Sequence, residues 1–583
     1  MAGAAARTSP MPADPAAAPE APPTCGRAIA AALRDHGTTT VFAVTGGHVV
    51  PMLDGCAREG LRVITFRDER SAAFAAAAFG ALTRQPGVCL VTAGPGLTNA
   101  VTGLAQAHYG NWPVLSLAGH YEIGLAELGA LQELPQAELL RPVAKWTTTL
   151  HDPRRAREYV RRAWAAALAA PGGHAHLSVP MDIVTQPSPH GEADETCAAY
   201  ENPPAQPSGG LPDDAVRRIV ELLGSARTPL LLAGPGVWRS DGGQALRAFM
   251  EASGVPALTH EEARGLVPDS HPLCMGSLVF QLNPATRNVA KADLILAVGM
   301  ELDWRAAYLR PPFTCPQATI VQIGSDPNAR LPQAGRYWRI VADERAALEA
   351  LAAVAAPPQQ AWRPWTDRLA ADQALAWSYR EEETGTAPQA ATGIHPYRIA
   401  DAVEQARARH DANVVFDGGN IGKWGKFAVR AERPGQWNRL KGGFGAIGHG
   451  LVSAMVRRLT DPMRPCILLT GDGAFGYNAM EVEACVREGL PVIAVVAVDG
   501  AWGSVQTGLA TRYAGTPLST FTDLPATRYD KLARDLGAEG RWIDDPAELE
   551  PALDAAVASG RPTVLAVRAA TVRSPAVYAT SGY

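Results

Sequence analysis

The hydrophobic pattern alternates between short apolar runs and longer amphipathic or alanine-rich segments along most of the chain. Apolar runs at residues 41–44, 63–65 and 88–91 are each followed by a polar or glycine-containing turn and then by a helical pattern. The apolar runs at residues 230–232 and 294–298 are likewise followed by turns that contain glycine. Apolar strands that alternate with helices are typical of parallel sheets covered on both faces. The pattern therefore predicts an α/β fold class with doubly wound parallel sheets.

The most informative of these units spans residues 466–506. Its pattern predicts an apolar strand, a glycine turn, one amphipathic helix and a second apolar strand. Asp472 follows the first strand and Asp499 follows the second, 27 positions later. Because the carboxyl ends of parallel strands share one edge of a sheet, we expect the two side chains to meet. Two carboxylates suit Mg²⁺ or Ca²⁺, and the backbone N–H groups of residues 471–474 suit a diphosphate at the start of a helix.

The spacing in this unit resembles the signature of the thiamine diphosphate-dependent enzymes. Gly-Asp-Gly at residues 471–473 is followed by a spacer over residues 474–497, and then by Val498 and Asp499 where the family has two asparagines. The resemblance implies that Mg²⁺ is bound by Asp472, Asp499 and the carbonyl of Ala501. It also implies that the diphosphate of the cofactor is held by Gly471, Gly473 and Ala474.

The region upstream resembles the pyrimidine-binding domain of the acetolactate synthase branch of this family. The similarity runs through residues 42–55, 67–82, 92–107 and 131–146. It implies that Glu69, at the start of the second helix, hydrogen-bonds the aminopyrimidine of the cofactor. It also places four residues close to the cofactor or substrate, namely Thr92, Pro95, Asn99 and Gln132.

One histidine is a further candidate for acid–base chemistry. His120 follows a predicted strand at the presumed cofactor edge, and imidazoles exchange protons near neutral pH. A histidine taken singly is more often a hydrogen-bonded structural residue. Both interpretations of His120 stay open.

The predicted domain organisation has a disordered tail and three α/β domains. The tail covers residues 1–24, the pyrimidine-binding domain 25–190, a Rossmann-like middle domain 211–355, and the thiamine diphosphate- and Mg²⁺-binding domain 390–583. Polar connections rich in proline or alanine lie at residues 185–210 and 356–393. The final residues 578–583 form either a lid or a mobile terminus.

Glycine loops in the last domain complete the predicted cofactor site. By resemblance, Gly419 and Asn420 help to bind the diphosphate. Gly445 offers its carbonyl to the 4′-amino group, and Ile447 wedges the cofactor into a bent form. Members of the family sometimes carry FAD or ADP in the middle domain, but we expect this domain to be structural.

Composition excludes several other classes of function. A chain of 583 residues is too long for one hydrophobic core. Its net charge of −5 predicts neither a nucleic-acid nor an anionic membrane surface as partner. Sequence also predicts no transmembrane helix and no secretory signal, so we expect a cytoplasmic protein. The 8 cysteines lack metal-site spacing and are expected to be reduced core residues.

The resemblance implies carbon–carbon chemistry on small molecules. Our first interpretation is an enzyme similar to acetolactate synthase, which decarboxylates a 2-oxo acid and joins the product to a second carbonyl. The sequence around Asp303, Trp304 and Arg305 resembles oxalyl-CoA decarboxylases and 2-hydroxyacyl-CoA lyases, and favours an acyl-CoA substrate instead. A third alternative is a non-catalytic cofactor-binding protein, because Val498 and Asp499 depart from the family signature. Family members share each site between subunits, which implies a homodimer or homotetramer.

Overall fold

The structure is a computed structural model that describes the chain in nine stretches. They are residues 23–188, 209–332, 335–356, 359–386, 393–440, 442–509, 513, 515–517 and 519–573. The predicted tail lies outside them except for its last two residues. Most of the predicted linker at 185–210 and all of the predicted lid at 578–583 also lie outside the described residues.

The N-terminal domain, as we call the elements up to residue 188, is built on one parallel sheet. Its strands are β1 Thr40–Ala43, β2 Arg62–Thr65, β3 Gly87–Val91, β4 Val114–His120, β5 Trp146–Thr149 and β6 His174–Pro180. Its α-helices are α1 Cys25–Asp35, α2 Val50–Arg58, α3 Glu69–Thr83, α4 Pro95–Gly110, α5 Gln136–Leu140, α6 Ala156–Leu168 and α7 Met181–Val184. Short 3₁₀ helices cover Gly47–Val49, Ile123–Leu125, Arg141–Val143 and Pro153–Arg155. The strand order is β2-β1-β3-β4-β6-β5, with every pairing parallel.

The middle domain, residues 209–386, has a second parallel sheet. Its strands are β7 Pro229–Ala233, β8 Ala257–Thr259, β9 Cys274–Ser277, β10 Leu294–Val298, β11 Thr319–Gly324 and β12 Arg336–Val341, in the order β12-β11-β10-β7-β8-β9. Its α-helices are α8 Asp213–Ser225, α9 Pro235–Arg239, α10 Gly243–Ser253, α11 Glu344–Val354 and α12 Arg363–Thr386. Its 3₁₀ helices are Glu261–Ala263, Pro284–Lys291, Trp304–Leu309 and Gln360–Trp362. Helix α12 falls within the connection predicted at 356–393, and its first half packs on this domain through the buried Trp365 and Leu369.

The C-terminal domain, from residue 393 onward, has the third parallel sheet. Its strands are β13 Asn413–Phe416, β14 Trp437–Asn438, β15 Cys466–Gly471, β16 Val492–Val498, β17 Glu539–Ile543 and β18 Thr563–Arg568, in the order β14-β13-β15-β16-β18-β17. Its α-helices are α13 Pro396–His410, α14 Asn420–Ala428, α15 Gly450–Thr460, α16 Asp472–Phe475, α17 Val482–Arg487, α18 Gly503–Leu509, α19 Ser519–Thr522, α20 Tyr529–Asp535 and α21 Leu549–Ser559. Its 3₁₀ helices are Ala479–Glu481 and Pro546–Glu548.

Apolar side chains cover both faces of these sheets, which confirms the predicted fold class. In β1, Phe42 belongs to one buried cluster, while Val41 and Ala43 belong to a cluster on the opposite face. The alanines of α3 are almost all fully buried and allow it to approach α4 and α15 closely. The cluster around α3 continues into the C-terminal domain, so these two domains share one core.

The single amphipathic helix predicted after Gly473 is wrong. The structure divides this segment into α16, a 3₁₀ turn and α17. Asn478 and Glu481 within it hydrogen-bond to Ser71 and to the backbone N–H of Arg67 in the N-terminal domain. These tertiary contacts override the helical pattern of the sequence.

No helix among the described residues combines the length and the apolar character needed to cross a bilayer.

Candidate functional site

The two carboxylates predicted to meet at the edge of the C-terminal sheet lie side by side in the structure. Asp472 follows β15 and Asp499 follows the neighbouring strand β16. The carboxylate of Asp472 accepts hydrogen bonds from the N–H groups of Gly473 at 2.8 Å and Gly500 at 3.0 Å. Asp499 accepts one from the N–H of Ala501 at 3.3 Å. The parallel register of β15 and β16 therefore brings both acids and the backbone around Ala501 to one place.

The electrostatics of this pair favour a bound cation. Burial raises the pKa of Asp472. Burial, reinforced by the charge of Asp472, raises the pKa of Asp499 to about 7. The described residues contain no group of three or more His, Cys, Asp or Glu side chains arranged for a metal. A cation at the pair would thus need further ligands from backbone carbonyls, water or phosphate oxygens, which is the way proteins hold Mg²⁺.

A glycine cradle, formed by Gly418, Gly419 and Gly471, lies next to the two acids. The N–H of Gly471 donates to the carbonyl of Gly418 at 3.0 Å. A Cβ atom on Gly419, whose φ is 104°, would lie 2.9 Å from the Cα of Gly471. A Cβ on Gly418 would lie 2.7 Å from Ile447 Cγ2, so the loop that contains Gly445 and Ile447 reaches the same cradle. Only glycine permits this approach of the two strand ends.

Asn420 adds an orphan acceptor to the cradle. Its Nδ2 donates to the carbonyl of Val572 at 2.5 Å, but its buried Oδ1 has no hydrogen-bond partner. Of the backbone N–H groups expected to face a diphosphate, that of Gly471 donates to Gly418 and that of Gly473 donates to Asp472, whereas Ala474 is buried against Gly418. A carboxylate pair, a glycine cradle and an unsatisfied buried oxygen together fit a metal diphosphate.

The valine that departs from the family signature has a structural explanation. Val498 is 3% exposed and packs in the shared core with Phe475 and Val482. Its carbonyl accepts a hydrogen bond from the N–H of Ala569 at 3.0 Å. The side chain at this position points into the core, and Asp499 alone faces the edge.

The predicted pyrimidine-binding residues cluster around one turn of the N-terminal domain, residues 92–96. Glu69 Oε2 accepts a hydrogen bond from Asn99 Nδ2 at 3.1 Å. A Cβ on Gly96 would lie 3.5 Å from Glu69 Oε1 and 2.6 Å from Thr92 Cγ2. Gln132, which has a positive φ of 60°, packs its Cβ against Gly94 on the other side of the turn. The structure thus brings Glu69, Thr92, Asn99 and Gln132 together, and Pro95 is an exposed residue of the same turn.

His120 ends β4 at the same sheet edge. It is 7% exposed, its ring stacks on Tyr121 at 4.0 Å between centroids, and its Nδ1 lies 3.0 Å from the Tyr121 carbonyl. The carbonyl can only accept, so Nδ1 carries the proton and Nε2 is the basic atom. Burial lowers the pKa of His120, partly opposed by the hydrogen bond to the Tyr121 carbonyl and by the charges of Asp182 and Glu138. Burial therefore favours the neutral imidazole.

On α3, Glu69 and the residue that contacts the C-terminal domain lie on opposite faces of the helix. Ser71 on α3 hydrogen-bonds to Asn478 of the C-terminal domain, whereas Glu69 hydrogen-bonds to Asn99 on α4. Side chains two residues apart on an α-helix, such as those of Glu69 and Ser71, are separated by about 200° around the helix axis. The carboxylate of Glu69 thus lies on the opposite face of α3 from the contact with its own C-terminal domain.

The middle domain has a second set of glycine turns, but a carboxylate fills it. Gly236 and Gly299 lie after β7 and β10, which contain the apolar runs predicted as strands at residues 230–232 and 294–298. A Cβ on Gly236 would clash with Oε1 of Glu344, which accepts hydrogen bonds from the N–H of Ser325 at 3.1 Å and its hydroxyl at 3.2 Å. Burial raises the pKa of Glu344. An anionic phosphate at these turns would meet this carboxylate.

Two site-related residues escaped the sequence analysis. Gln136 is 1% exposed and donates and accepts hydrogen bonds that tie the turn of Gly94 to β4 and β6. Glu481 is 1% exposed between the N- and C-terminal domains, and burial raises its pKa to about 7. The sequence did contain one indication of both residues: each is polar at a position where the hydrophobic pattern predicts a core residue.

Three sequence profiles of one family match the chain. "Thiamine pyrophosphate enzyme, N-terminal TPP binding domain" matches residues 23–139, the central domain matches 216–351, and the "C-terminal TPP binding domain" matches 417–567. These matches include Glu69 in the first profile and Asp472 and Asp499 in the third.

Relatives with different reactions match almost the whole chain. The acetolactate synthase large subunit IlvG of Mycobacterium tuberculosis is 34% identical, over 93% of this chain and 95% of the relative. The 2-hydroxyacyl-CoA lyase 2 of Homo sapiens is 31% identical over 88% and 84%, respectively. Oxalyl-CoA decarboxylase of Escherichia coli is 28% identical over 95% and 96%. The resemblance drawn from the motifs is confirmed: the chain belongs to the thiamine pyrophosphate enzyme family and is a thiamine diphosphate-dependent enzyme.

Proposed function

We propose that this enzyme decarboxylates a 2-oxo acid and joins the remaining fragment to a second carbonyl compound. The observation that carries the proposal is the position of Gln132, across the turn of residues 92–96 from Glu69. Its buried Oε1 has no hydrogen-bond partner among the described residues, so the amide is available to a polar substrate at the turn of Gly94. In this amide Oε1 suits a hydroxyl donor, whereas the N–H groups of Nε2 suit the carboxylate of a 2-oxo acid. The 34% identity to a protein named acetolactate synthase supports the same substrate class.

The chain's own residues would divide the work as follows. Asp472, Asp499 and the carbonyl of Ala501 would hold Mg²⁺, and the diphosphate would lie against Gly419, Asn420, Gly471, Gly473 and Ala474. When bound, thiamine diphosphate supplies a carbon nucleophile and an electron sink for carbon–carbon cleavage. Glu69 shares a proton with the pyrimidine ring, Gly445 and Ile447 orient the cofactor, and His120 Nε2 takes or returns a proton at the substrate.

The alternative substrate class is an acyl-CoA, which the relatives named lyase and oxalyl-CoA decarboxylase favour. The residues behind this alternative are already paired within the chain. Arg305 forms ion pairs with Asp303 at 2.7 Å and with Glu262 at 3.4 Å, and all three are mostly buried. Only Trp304, which is 58% exposed, is free to contact a ligand.

Product analysis distinguishes these substrates. The purified protein, with thiamine diphosphate and Mg²⁺, is offered a panel of 2-oxo acids with and without aldehyde, 2-oxo acid or acyl-CoA partners. Carbon dioxide and a coupled product identified by mass from 2-oxo acids are expected. Turnover of an acyl-CoA, with no reaction of any 2-oxo acid, would contradict the proposal and favour the lyase.

We further propose that two copies of the chain complete each site. The support is the position of Glu69 on the face of α3 opposite Ser71, which contacts the C-terminal domain of its own chain. Mixing Glu69→Gln protein with Asp472→Ala protein, after dissociation and reassociation, should restore part of the activity that each lacks, because one site of a mixed dimer has both residues intact. Activity that stays absent, although mixed dimers are detected by mass, would refute shared sites. The predicted tetramer and the predicted cytoplasmic location remain predictions.

A further inference from the structure

A continuous chain of buried polar side chains runs through the N-terminal domain between α5, β4 and β6. Each member is at most 1% exposed. The order is Gln136, Ser178, His176, Ser116 and His174, with successive hydrogen bonds of 3.1, 2.8, 2.8 and 2.7 Å. His174 Nδ1 closes the chain at the carbonyl of Val143, 2.9 Å away. Buried polar groups of this kind are costly unless all of them are paired.

The backbone fixes the direction of the first bonds. The Oε1 of Gln136 accepts from the N–H of Gly94 at 3.0 Å, so its Nε2 must be the donor. That Nε2 donates to the carbonyl of Gly119 at 3.0 Å and to Ser178 Oγ at 3.1 Å. Gln136 thereby ties the cofactor-side turn to the end of β4 next to His120.

The same logic fixes both imidazoles, whose tautomers follow from the hydrogen-bond network. His174 Nδ1 faces the carbonyl of Val143, which can only accept, so Nδ1 donates and the Nε2 of a neutral His174 ring accepts from the Ser116 hydroxyl. Ser116 then accepts from His176 Nδ1, and the Nε2 of a neutral His176 ring accepts from the Ser178 hydroxyl. With both imidazoles neutral and protonated on Nδ1, all five bonds of the chain run in one direction.

The surroundings of the chain keep the histidines neutral. Burial lowers the pKa of His174 to about 4 and that of His176 well below its usual range. The titratable groups facing them are His108 from α4, whose charge would lower the pKa of His174, and His120 from β4, which acts in the same way on His176. Lys145, before β5, lies next to His108. No carboxylate is among these facing groups, so none of them would stabilise the positive charge that a second proton gives to either ring.

The end of the chain lies where the cofactor half-site is assembled. Gly94 belongs to the turn that carries Thr92, and a Cβ on it would lie 2.9 Å from the Cβ of Gln132. Glu69 abuts the same turn at Gly96. A change in the position of Gly94 would therefore move the residues on both sides of it.

We propose that Gln136 is a positioning residue for the cofactor half-site, held in one orientation by the buried chain of Ser178, His176, Ser116 and His174. This inference rests on the proposed function of Glu69 and Gln132, through which Gln136 acts. The chain determines where the turn of Gly94 lies and thus how tightly the half-site holds thiamine diphosphate.

The test compares Ser178→Ala with the matched control Ser253→Ala. Ser253 is a buried serine of α10 in the middle domain, with a hydroxyl that donates to the Phe249 carbonyl at 2.6 Å. For each protein, thiamine diphosphate is titrated calorimetrically at fixed Mg²⁺, and the melting temperature without cofactor is measured. Both variants should melt at a lower temperature, but only Ser178→Ala should lose affinity for the cofactor, by about tenfold. Wild-type affinity in a destabilised Ser178→Ala protein would overturn the inference.

Gln136→Glu provides a second variant should Ser178→Ala not fold. Its carboxylate still accepts from Gly94 but cannot donate to Gly119 or Ser178, whereas a protonated carboxyl donates one bond again. The ratio of the variant's affinity for thiamine diphosphate to that of wild type at the same pH should therefore rise as the pH falls from 8 to 6. A ratio that stays at one throughout would refute the positioning role. Since binding is read directly, a wild-type protein that binds the cofactor but turns over no panel compound would contradict the proposed reaction and not this inference.

Discussion

The C-terminal and middle domains place glycine turns at the same edge of similar six-stranded parallel sheets, but they treat this edge in opposite ways. In the C-terminal domain Asp472 and Asp499 stand beside the turns, and the atoms nearest to Gly419 and Gly471 belong to the facing turn and not to a carboxylate. In the middle domain Glu344 extends into the turns of Gly236 and Gly299. A carboxylate beside a cradle attracts the cation that a diphosphate needs, whereas a carboxylate inside it takes the place of the phosphate. We therefore expect the location of one acid to decide which of the two similar edges binds an anion.

The largest expected effect comes from removing the acid beside the open cradle. Asp472→Ala should lower the affinity for Mg²⁺ and thiamine diphosphate together, on the order of 100-fold or more, because the diphosphate would then face the edge without its cation. Calorimetric titration measures both constants. Glu344→Ala is the matched control, with cofactor affinity expected within about twofold of wild type. Full affinity in Asp472→Ala would contradict the metal assignment.

The second prediction separates binding from turnover. Glu69→Gln keeps an oxygen that can accept the bond from Asn99 but loses a group that exchanges protons, so kcat should fall by about 100-fold or more. Affinity for the cofactor should change by less than about tenfold. Steady-state kinetics and titration check the two values, with Glu158→Gln on α6 as control. A fully active Glu69→Gln enzyme would be incompatible with the role given to this carboxylate.

A smaller effect is expected when the filled cradle is emptied. Glu344→Ala removes the carboxylate that meets Gly236, so ADP should raise the melting temperature of the variant by about 1–2 °C at saturation. Wild type should show no shift. If the nucleotide shifts the wild-type protein equally, the middle domain binds anions in spite of Glu344, and the contrast between the two edges fails.

The smallest effect concerns Glu481, a buried carboxylate with no cradle beside it. Its pKa is raised to about 7 in the folded protein, above the 4.5 of an ordinary glutamate, so the folded state favours its neutral form. The wild-type protein should thus lose stability relative to Glu481→Gln as the pH rises from about 4.5 to 7. Melting temperatures between pH 5 and 8 should diverge by about 1–3 °C, with the variant higher at pH 8. Parallel curves would show that burial does not perturb this group.

Much of the fold and of the cofactor edge was predictable because both depend on local patterns. Apolar runs followed by glycine turns indicate parallel strands, and the spacing between Asp472 and Asp499 is that of one βαβ unit. The contact by which Glu344 fills the glycine turns of the middle domain could not be predicted in this way. Glu344 and Gly236 are separated by more than a hundred residues, so they meet only in the folded domain. The buried chain through His174 and His176 was missed for another reason. Alternating polar residues in a strand ordinarily indicate a solvent-facing side, and here both sides of β6 are covered.

The bond between Asn420 and Val572 has a consequence for how the enzyme matures during synthesis. The two residues are 152 positions apart, and the carbonyl of Val572 accepts from both Asn420 and Trp424. A ribosome adds roughly 5–20 residues per second, so the loop of Asn420 waits about 8 to 30 seconds for this partner. Both glycine turns of the cradle are already made by then. The loop therefore gains this hydrogen bond only after strands β13 to β18 of its own sheet have been synthesised.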